Sequence, residues 1–152
     1  MAAVTDSPDH TESTPYLLIR LSGTVEELFG GVARRHGLTS QQAHLMCRLV
    51  GGPVYMAALG RMLHLEKPGL SGLVDRVERR GLVERVRDPR DRRMWRVGLT
   101  EEGQRVAVAT HRDVMAGLEA LTAELGADDA DLLKALLERL LAGASAAERA
   151  AS

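Results

Sequence analysis

Three arginines and two aspartates fall within one short segment, Asp88-Pro89-Arg90-Asp91-Arg92-Arg93. This segment is too strongly charged to lie in a protein core, and we therefore expect it at the surface. A turn that carries several guanidinium groups is suited to a narrow, strongly negative groove such as the minor groove of DNA. An ordinary charged surface turn is the alternative interpretation.

The residues on both sides of this turn alternate in the way that half-buried strands do. Residues 82–87 place one set of side chains on each face, and residues 94–99 do the same after the turn. A period of two on both sides of a short turn predicts a β-hairpin. The arginines would then lie at the tip of the hairpin.

The net charge of −1 conceals a separation of charge along the chain. Residues 61–96 contain eleven basic and six acidic side chains, a net charge of +5, while the remaining residues carry −6. A basic middle flanked by acidic ends is typical of a local binding site for a polyanion. A solvated charged surface is the alternative, and the elements around the turn favour the binding site.

Apolar residues at helical spacing predict helices before and after the hairpin. We expect them at about residues 16–35, 40–50, 54–63, 68–81, 101–125 and 128–141. Thr39 or Ser40 is the expected N-cap of the second helix and Thr100 that of the fifth, while Gly37 ends the first. The predicted fold class is mainly α with a small β-wing.

The third and fourth helices and the hairpin together predict a winged helix-turn-helix, in which the fourth helix lies in the major groove. The exposed positions of this helix are expected to be Lys67, Gly69, Ser71, Gly72, Asp75 and Arg76. Arg76 can reach a guanine or a phosphate, and Ser71 offers a short hydroxyl. The N–H groups from Lys67 to Leu70 can hold a phosphate.

Residues 59–103 resemble the core of the MarR family of bacterial transcription regulators. The matching motifs are residues 59–65, the run LVDRVERRGLVER at 73–85, Asp91-x-Arg93 in the turn, and Leu99-Thr100-x-x-Gly103. Residues 37–50 resemble the second helix of the family. The resemblance covers about residues 16–142.

The resemblance implies a sequence-specific transcriptional regulator that binds double-stranded DNA, with repression as the usual mode. It implies that Arg93 enters the minor groove, that Asp91 stabilises it through an ion pair with neighbouring arginines, and that Arg90 and Arg92 contact phosphates. The fourth helix would contribute Lys67, Ser71 and Arg76.

This chain departs from the family at two positions of the fourth helix. Many members carry Ser, Thr or Arg where this chain has Gly69 and Gly72. We therefore expect few direct base contacts, with specificity depending on Ser71, Arg76 and the shape of the groove.

The family forms homodimers that bind pseudo-palindromic operators, with recognition helices about 34 Å apart. The expected organisation is a disordered tail at 1–14, dimerisation helices at 15–36 and 104–143, a DNA-binding lobe at 37–103 and a frayed tail at 144–152. The broadly apolar first helix and the leucines of residues 128–141 suit dimerisation by their own composition.

Members of the family often bind a small anionic or phenolic effector between the dimerisation helices and the DNA-binding lobe. Arg20, His44 and Arg48 are the candidate contacts in this chain, with His36 on the same helices. A partly buried structural histidine is the alternative for His44.

Zinc sensing, as in some relatives, would require His36, His44 and His111 to converge. The acidic ligand that those relatives carry beside the second of these histidines is replaced by Ala43, and Met115 leaves no His-x-x-x-His pair. Zinc needs about four ligands, so neither a metal site nor a cofactor is predicted.

The single cysteine, Cys47, excludes an internal disulfide and fits a reducing cytoplasm. Thiol-sensing relatives carry their cysteine in the first helix, so a buried structural role is expected here. The sequence shows no signal peptide, no membrane span and no catalytic arrangement, which predicts a cytoplasmic protein that is not an enzyme. A winged-helix protein-interaction module and a metal- or redox-responsive regulator are the alternatives.

Overall fold

The computed structural model describes residues 13–151, apart from the side chain of Glu148. In chain order its elements are α1 (Thr14–Arg35), α2 (Ser40–Leu49), β1 (Val54–Tyr55), α3 (Met56–Leu63), α4 (Lys67–Arg79), β2 (Val83–Arg87), β3 (Trp95–Leu99), α5 (Glu101–Leu121) and α6 (Ala127–Ala151). The predicted fold class, mainly α with a small β-wing, is confirmed. Residues 1–12 of the predicted tail lie outside the described residues, and Thr14 already belongs to α1.

The chain divides into two compact units, one ending at Met115 and the other beginning at Ala116. The core of the first unit is built from aliphatic side chains of its helices and sheet, among them Leu45, Met46, Leu49, Leu59, Leu73, Val74, Val77 and Val97. Because the chain has few aromatic residues, close packing of these aliphatic side chains must supply most of the hydrophobic stabilisation.

A short turn joins α3 to α4 and forms the predicted helix-turn-helix. His64 ends α3 in the left-handed conformation, with φ of 52°. The N–H of Leu65 then donates to the carbonyl oxygen of Gly60 at 2.9 Å, and a Cβ atom at position 60 would lie 3.1 Å from the carbonyl oxygen of Leu65. Pro68 lies in the first turn of α4, where its missing N–H costs nothing.

The sheet is antiparallel, with β3 between β1 and β2. The predicted hairpin is present, since Val83 pairs with Leu99 and Arg87 with Trp95. The third helix, however, does not begin at Val54 as predicted. Residues 54–55 form β1, which pairs with β3 on the side opposite β2. This is expected because β-branched and aromatic residues fit a pleated sheet better than a helix.

The predicted helix ends in the first part of the chain are confirmed. Gly37 has φ of +68°, and the N–H of Leu38 donates to the carbonyl oxygen of Ala33 at 2.9 Å, which closes α1. Thr39 caps α2 through a reciprocal capping box with Gln42. Two helix ends differ from expectation: α5 stops at Leu121 rather than near residue 125, and α6 continues to Ala151.

In the structure α6 continues through residues 144–151, which belong to the segment 144–152 that was predicted to be a frayed tail; Ser152 lies outside the described residues. Residues 144–151 read ASAAERAA, which contains five alanines and neither glycine nor proline. Alanine is the strongest helix former, and the alanine-rich segment therefore extends the helix that the leucines begin.

Gly103 lets the first turn of α5 approach the start of β2. The hydroxyl of Thr100 donates to the carbonyl oxygen of Gly81 at 2.6 Å and accepts the N–H of Gly103 at 3.0 Å. A Cβ atom at position 103 would overlap the carbonyl oxygen of Leu82, which itself accepts the N–H of Thr100 at 3.1 Å. Only glycine fits at this position without movement of the backbone.

Replacing this glycine tests the close approach. Gly103→Ala should lower the free energy of unfolding by about 1–3 kcal/mol or more, because a buried overlap with backbone forces α5 away from the sheet. Urea unfolding measures the change. Gly51→Ala is the matched control, since nothing lies within 4 Å of a Cβ atom there; equal stability of the two variants would contradict the packing described.

Candidate nucleic-acid interface

The fourth helix, α4, has one buried face and one exposed face. Its buried residues are Leu70, Leu73, Val74 and Val77. Lys67 and Arg76 are exposed and Ser71 is half-buried. The structure therefore leaves the three residues of α4 that were predicted to contact DNA within reach of a ligand.

The N-terminus of α4 offers fewer free N–H groups than the sequence suggested. Pro68 has no N–H, and the N–H of Leu70 donates to the carbonyl oxygen of Glu66 at 3.0 Å. A phosphate at this end would be bound by the N–H groups of Lys67 and Gly69, a narrower site than the predicted one.

The absence of a side chain at Gly72 leaves room for Arg76. A Cβ atom at position 72 would lie 3.4 Å from Nη1 of Arg76. The guanidinium group thus lies over helix surface that a side chain at residue 72 would otherwise cover. Gly72 therefore lowers the intrinsic stability of α4 but allows the side chain of Arg76 to lie along the helix.

The wing, residues 83–99, consists of β2, β3 and the turn between them. Its tip, residues 88–93, carries Arg90, Arg92 and Arg93, all exposed. Among the described residues, none of these three guanidinium groups forms a hydrogen bond or an ion pair, since Arg90 and Arg93 use only their backbone N–H groups. Three unpaired positive charges on one turn favour an anionic partner.

Asp88 holds the wing tip in shape, a role that was not among the predictions from sequence. Its side chain is 4 % exposed, and Oδ1 accepts the N–H groups of Arg90 at 2.7 Å and Asp91 at 3.2 Å. Oδ2 accepts the hydroxyl of Tyr55 and lies 3.4 Å from Nε of Arg96. The signal that could have revealed it is an aspartate at the start of a turn, a position at which this side chain caps backbone N–H groups.

Asp91 acts on the backbone and not through the predicted ion pair. Its Oδ1 accepts the N–H of Arg93 at 2.9 Å, and its carbonyl oxygen accepts the N–H of Met94 at 2.9 Å. In the part of the chain that the structure describes, no ion pair includes Asp91. A short carboxylate within a tight turn reaches the nearest N–H groups more easily than it reaches a long side chain that extends into solvent.

Arg85 connects the wing to α4. Its guanidinium group donates to Asp75 at 2.6 Å and to Glu78 at 2.5 Å, and its backbone N–H donates to Glu78 at 3.1 Å. Asp75 is exposed, as predicted for this position of α4, and its carboxylate also pairs with Arg85. These bonds fix the position of β2 against the helix.

Arg87 and Trp95 face each other across the two strands of the wing. The guanidinium carbon of Arg87 lies 4.7 Å from the centre of the Trp95 ring, and Nη1 donates to the carbonyl oxygen of Arg92 at 3.2 Å. The cation–π contact stiffens the end of the hairpin. Trp95 is also the single tryptophan of the chain, which makes it a fluorescent reporter of the wing.

A second candidate site is a cleft of about 430 Å³ in the first unit. It is lined by residues of α1, α2 and the helix-turn-helix, namely Glu26, Ser40, Gln41, His44, Arg48, Met62, Leu63, His64, Leu65 and Leu73. The ring of His44 stacks on Phe29 at 3.9 Å, and its Nε2 lies 3.3 Å from Glu26. Of the predicted effector contacts, His44 and Arg48 line this cleft, whereas Arg20 is exposed on α1 and does not.

The remaining sensor candidates are separate from one another. Nε2 of His36 lies 2.8 Å from Asp113, while His111 is exposed. Within residues 13–151, no group of three His, Cys, Asp or Glu side chains could hold a metal ion. Burial raises the pKa of Cys47, which disfavours the reactive thiolate.

A helix-turn-helix followed by a basic two-stranded hairpin defines a winged helix-turn-helix protein, a class that reads DNA with the second helix of the motif. The model of the MarR family matches residues 36–94, from the end of α1 to the wing. Over this segment the chain resembles the MarR family, and its winged helix-turn-helix together with its similarity to known repressors identifies it as a DNA-binding transcriptional regulator.

Known members of the family are similar over most of the chain. The homoprotocatechuate degradative operon repressor of Escherichia coli is 27 % identical over 132 residues, which cover 86 % of this chain and 89 % of that repressor. The repressor CouR, solved with a 23-mer DNA duplex, is 28 % identical with a TM-score of 0.73, covering 86 % of this chain and 94 % of CouR. NadR in complex with 4-hydroxyphenylacetate is 26 % identical with a TM-score of 0.72, covering 92 % and 97 %.

The known relatives are regulators of transcription, a class distinct from enzymes. None of the helices within residues 13–151 is long and apolar enough to cross a membrane.

The protonation of Asp88 gives a prediction for the pH dependence of the wing. The hydroxyl of Tyr55 and the N–H of Arg90 lower the pKa of Asp88 below its ordinary value of 3.8. A lowered pKa contributes stability that is fully present above the ordinary value and is lost as the pH falls through the lowered one. Trp95 fluorescence should therefore stay constant from neutral pH to about pH 5 and change only below about pH 4.

Two measurements separate this transition from general acid unfolding. Far-ultraviolet circular dichroism follows the helices over the same range, and Asp88→Asn should remove the wing-specific part of the acid response. One result would contradict the lowered pKa of Asp88: a change in Trp95 fluorescence between about pH 5 and 7 while the helices stay intact. Absence of this change in Asp88→Asn would assign it to the Asp88 carboxylate.

Proposed function

We propose that this regulator is a ligand-responsive repressor that binds a pseudo-palindromic operator as a homodimer in the cytoplasm. The observation that carries the DNA-binding part is the wing tip, where the side chains of three arginines have no partner among the described residues. The two aspartates of the same turn, Asp88 and Asp91, bind backbone N–H groups and not these side chains. Repression follows when a tightly bound dimer blocks a promoter.

In the proposed complex, α4 lies in the major groove and the wing lies beside the adjacent minor groove. Lys67, Ser71 and Arg76 contact phosphates and base edges. Arg93 enters the minor groove, where narrow A·T-rich sequence concentrates negative potential. Arg90 and Arg92 contact phosphates on either side. CouR, which shares the fold and was solved with a DNA duplex, supports this arrangement.

The proposed homodimer would bury apolar side chains that are exposed in the single chain. On α1 these include Leu17, Leu18, Ile19 and Leu21, and on α6 they include Leu132, Leu136, Leu137, Leu140 and Leu141. Exposed apolar residues on this scale are typical of protein interfaces. A two-fold axis between two such chains would present two recognition helices to successive turns of the duplex.

Substitution of Arg93 tests the role of the wing. Arg93→Ala should weaken binding to the preferred duplex by about ten-fold or more, because the minor groove then holds no guanidinium group. It should also make the dependence of log K on log salt less steep, by about one for each phosphate that the variant no longer neutralises. Fluorescence anisotropy of a labelled duplex at several salt concentrations measures both quantities.

Arg149→Ala is the matched control for this experiment. It removes the same charge from an exposed arginine of α6 that lies outside the proposed DNA-binding and dimerisation segments. Its affinity and salt dependence should equal those of the wild type. If Arg93→Ala bound the duplex as tightly as this control, the wing assignment would be wrong.

We also propose that the cleft between α1, α2 and the helix-turn-helix binds an aromatic acid. Phe29 and His44 form a stacked pair beside it, and Arg48 offers a cation that has no ion-pair partner among the described residues. The volume of about 430 Å³ suits a small ring compound. NadR bound to 4-hydroxyphenylacetate, and a repressor named for homoprotocatechuate degradation, support this ligand class.

The ligand proposal predicts a direct effect of Arg48. Titration calorimetry with 4-hydroxyphenylacetate should detect binding to the wild type, and Arg48→Ala should weaken it about ten-fold through loss of a charge-assisted hydrogen bond. Arg48→Lys keeps the cation and should weaken binding less. Absence of heat in the wild type, or equal affinity of the alanine variant, would exclude this ligand in this cleft.

A further inference from the structure

A hydrogen bond between β1 and the wing links the helix-turn-helix to the arginine-bearing turn. Tyr55 is the last residue of β1 and the N-cap residue of α3, so its backbone belongs to the helix-turn-helix. Its hydroxyl donates to Oδ2 of Asp88, which follows β2 on the far side of the sheet. One side chain therefore spans the central strand and reaches the base of the wing tip.

The hydroxyl of Tyr55 supplies a hydrogen bond that the buried Asp88 carboxylate needs. Oδ1 is occupied by two backbone N–H groups of the wing tip. Within the described residues, Oδ2 has only the hydroxyl of Tyr55 as a hydrogen-bond donor, because Nε of Arg96 lies 3.4 Å away without forming a hydrogen bond. A buried carboxylate without this donor would turn toward solvent and release the backbone N–H groups that it holds.

We propose that Tyr55 is a positioning residue for DNA binding, which acts through Asp88 to hold Arg90, Arg92 and Arg93 in the arrangement that enters the DNA grooves. This proposal rests on the proposed function. Tyr55 itself does not touch DNA. Its effect comes from keeping the turn ordered before binding, so that less conformational entropy is lost when the arginines engage the duplex.

The position of the Tyr55 ring allows the hydroxyl group to be removed by substitution without changing the contacts of the ring. Tyr55 is 37 % exposed, and the guanidinium carbon of Arg96 lies 5.8 Å from the centre of its ring. Tyr55→Phe keeps the ring, its position beside Arg96 and the strand propensity of the residue. The variant therefore removes one hydrogen bond to a charged group and little else.

The first experiment follows the wing without DNA. Trp95 is the single tryptophan and lies on β3, so its fluorescence anisotropy and its quenching by acrylamide report the order of the wing. Tyr55→Phe should lower the anisotropy and raise the quenching constant, and Asp88→Asn should do the same. Far-ultraviolet circular dichroism and the urea midpoint establish that each variant is folded.

The second experiment measures affinity for the duplex that the wild type selects from a random pool. Tyr55→Phe should bind about ten-fold more weakly, because a less ordered wing loses more conformational entropy when its arginines engage the duplex. The same substitution is then made in a chain with Arg90, Arg92 and Arg93 all replaced by alanine. In that background it should cause no further decrease in affinity, because the arginines through which it acts are absent.

Each result either supports the proposal or overturns it. An equal decrease in affinity in both backgrounds would show that Tyr55 only stabilises α3, and unchanged Trp95 signals in both variants would show that the hydroxyl does not order the wing. A wild type that selects no duplex would overturn the proposed DNA binding, and this outcome is distinct because the Trp95 measurements need no DNA.

Discussion

The burial of the Asp88 carboxylate is the constraint on which the rest of the interface depends. A charge is removed from water only where other groups replace its hydrogen bonds, and here the hydroxyl of Tyr55 and two backbone N–H groups do so, with Arg96 nearby. The backbone of the turn is thereby fixed without using the guanidinium groups of its arginines. They remain available for an anionic partner although an aspartate lies at the base of the same turn.

Four acidic residues of the wing and α4 bind groups within the lobe and, within the described residues, leave the arginine side chains at the tip unpaired; they are Asp75, Glu78, Asp88 and Asp91. Asp75 and Glu78 on α4 bind Arg85 of β2, and Asp91 holds a backbone N–H within the turn. Arg85 binds β2 to α4, and the hydrogen bond from Tyr55 to Asp88 binds β1 to the turn. The recognition helix and the wing tip are therefore connected by side-chain interactions as well as by the backbone. The basic middle of the sequence, with its net charge of +5, is thus divided between arginines that build the lobe and arginines that face solvent.

Local patterns predicted most of the fold, and interactions between distant residues account for most of what was missed. The period-two segments predicted the hairpin, and Thr39, Gly37 and Thr100 marked helix ends, because caps and strand alternation are properties of neighbouring residues. The short strand β1 depends on pairing with β3, and Tyr55 is separated from Asp88 by 33 residues, so neither was visible in local spacing. In the cleft, His44 and Arg48 were predicted but the exposed position of Arg20 was not, since helix spacing alone does not say which face of α1 meets α2.

Selection of bound fragments from a pool of random duplex DNA tests the central claim most directly, namely that an ordered wing and α4 together read DNA in a two-fold assembly. We expect enrichment of a pseudo-palindrome whose half-sites lie about one helical turn apart, with an A·T-rich segment where Arg93 enters the minor groove. Binding that depends on salt but enriches no sequence, or enriches a single half-site, would contradict this claim.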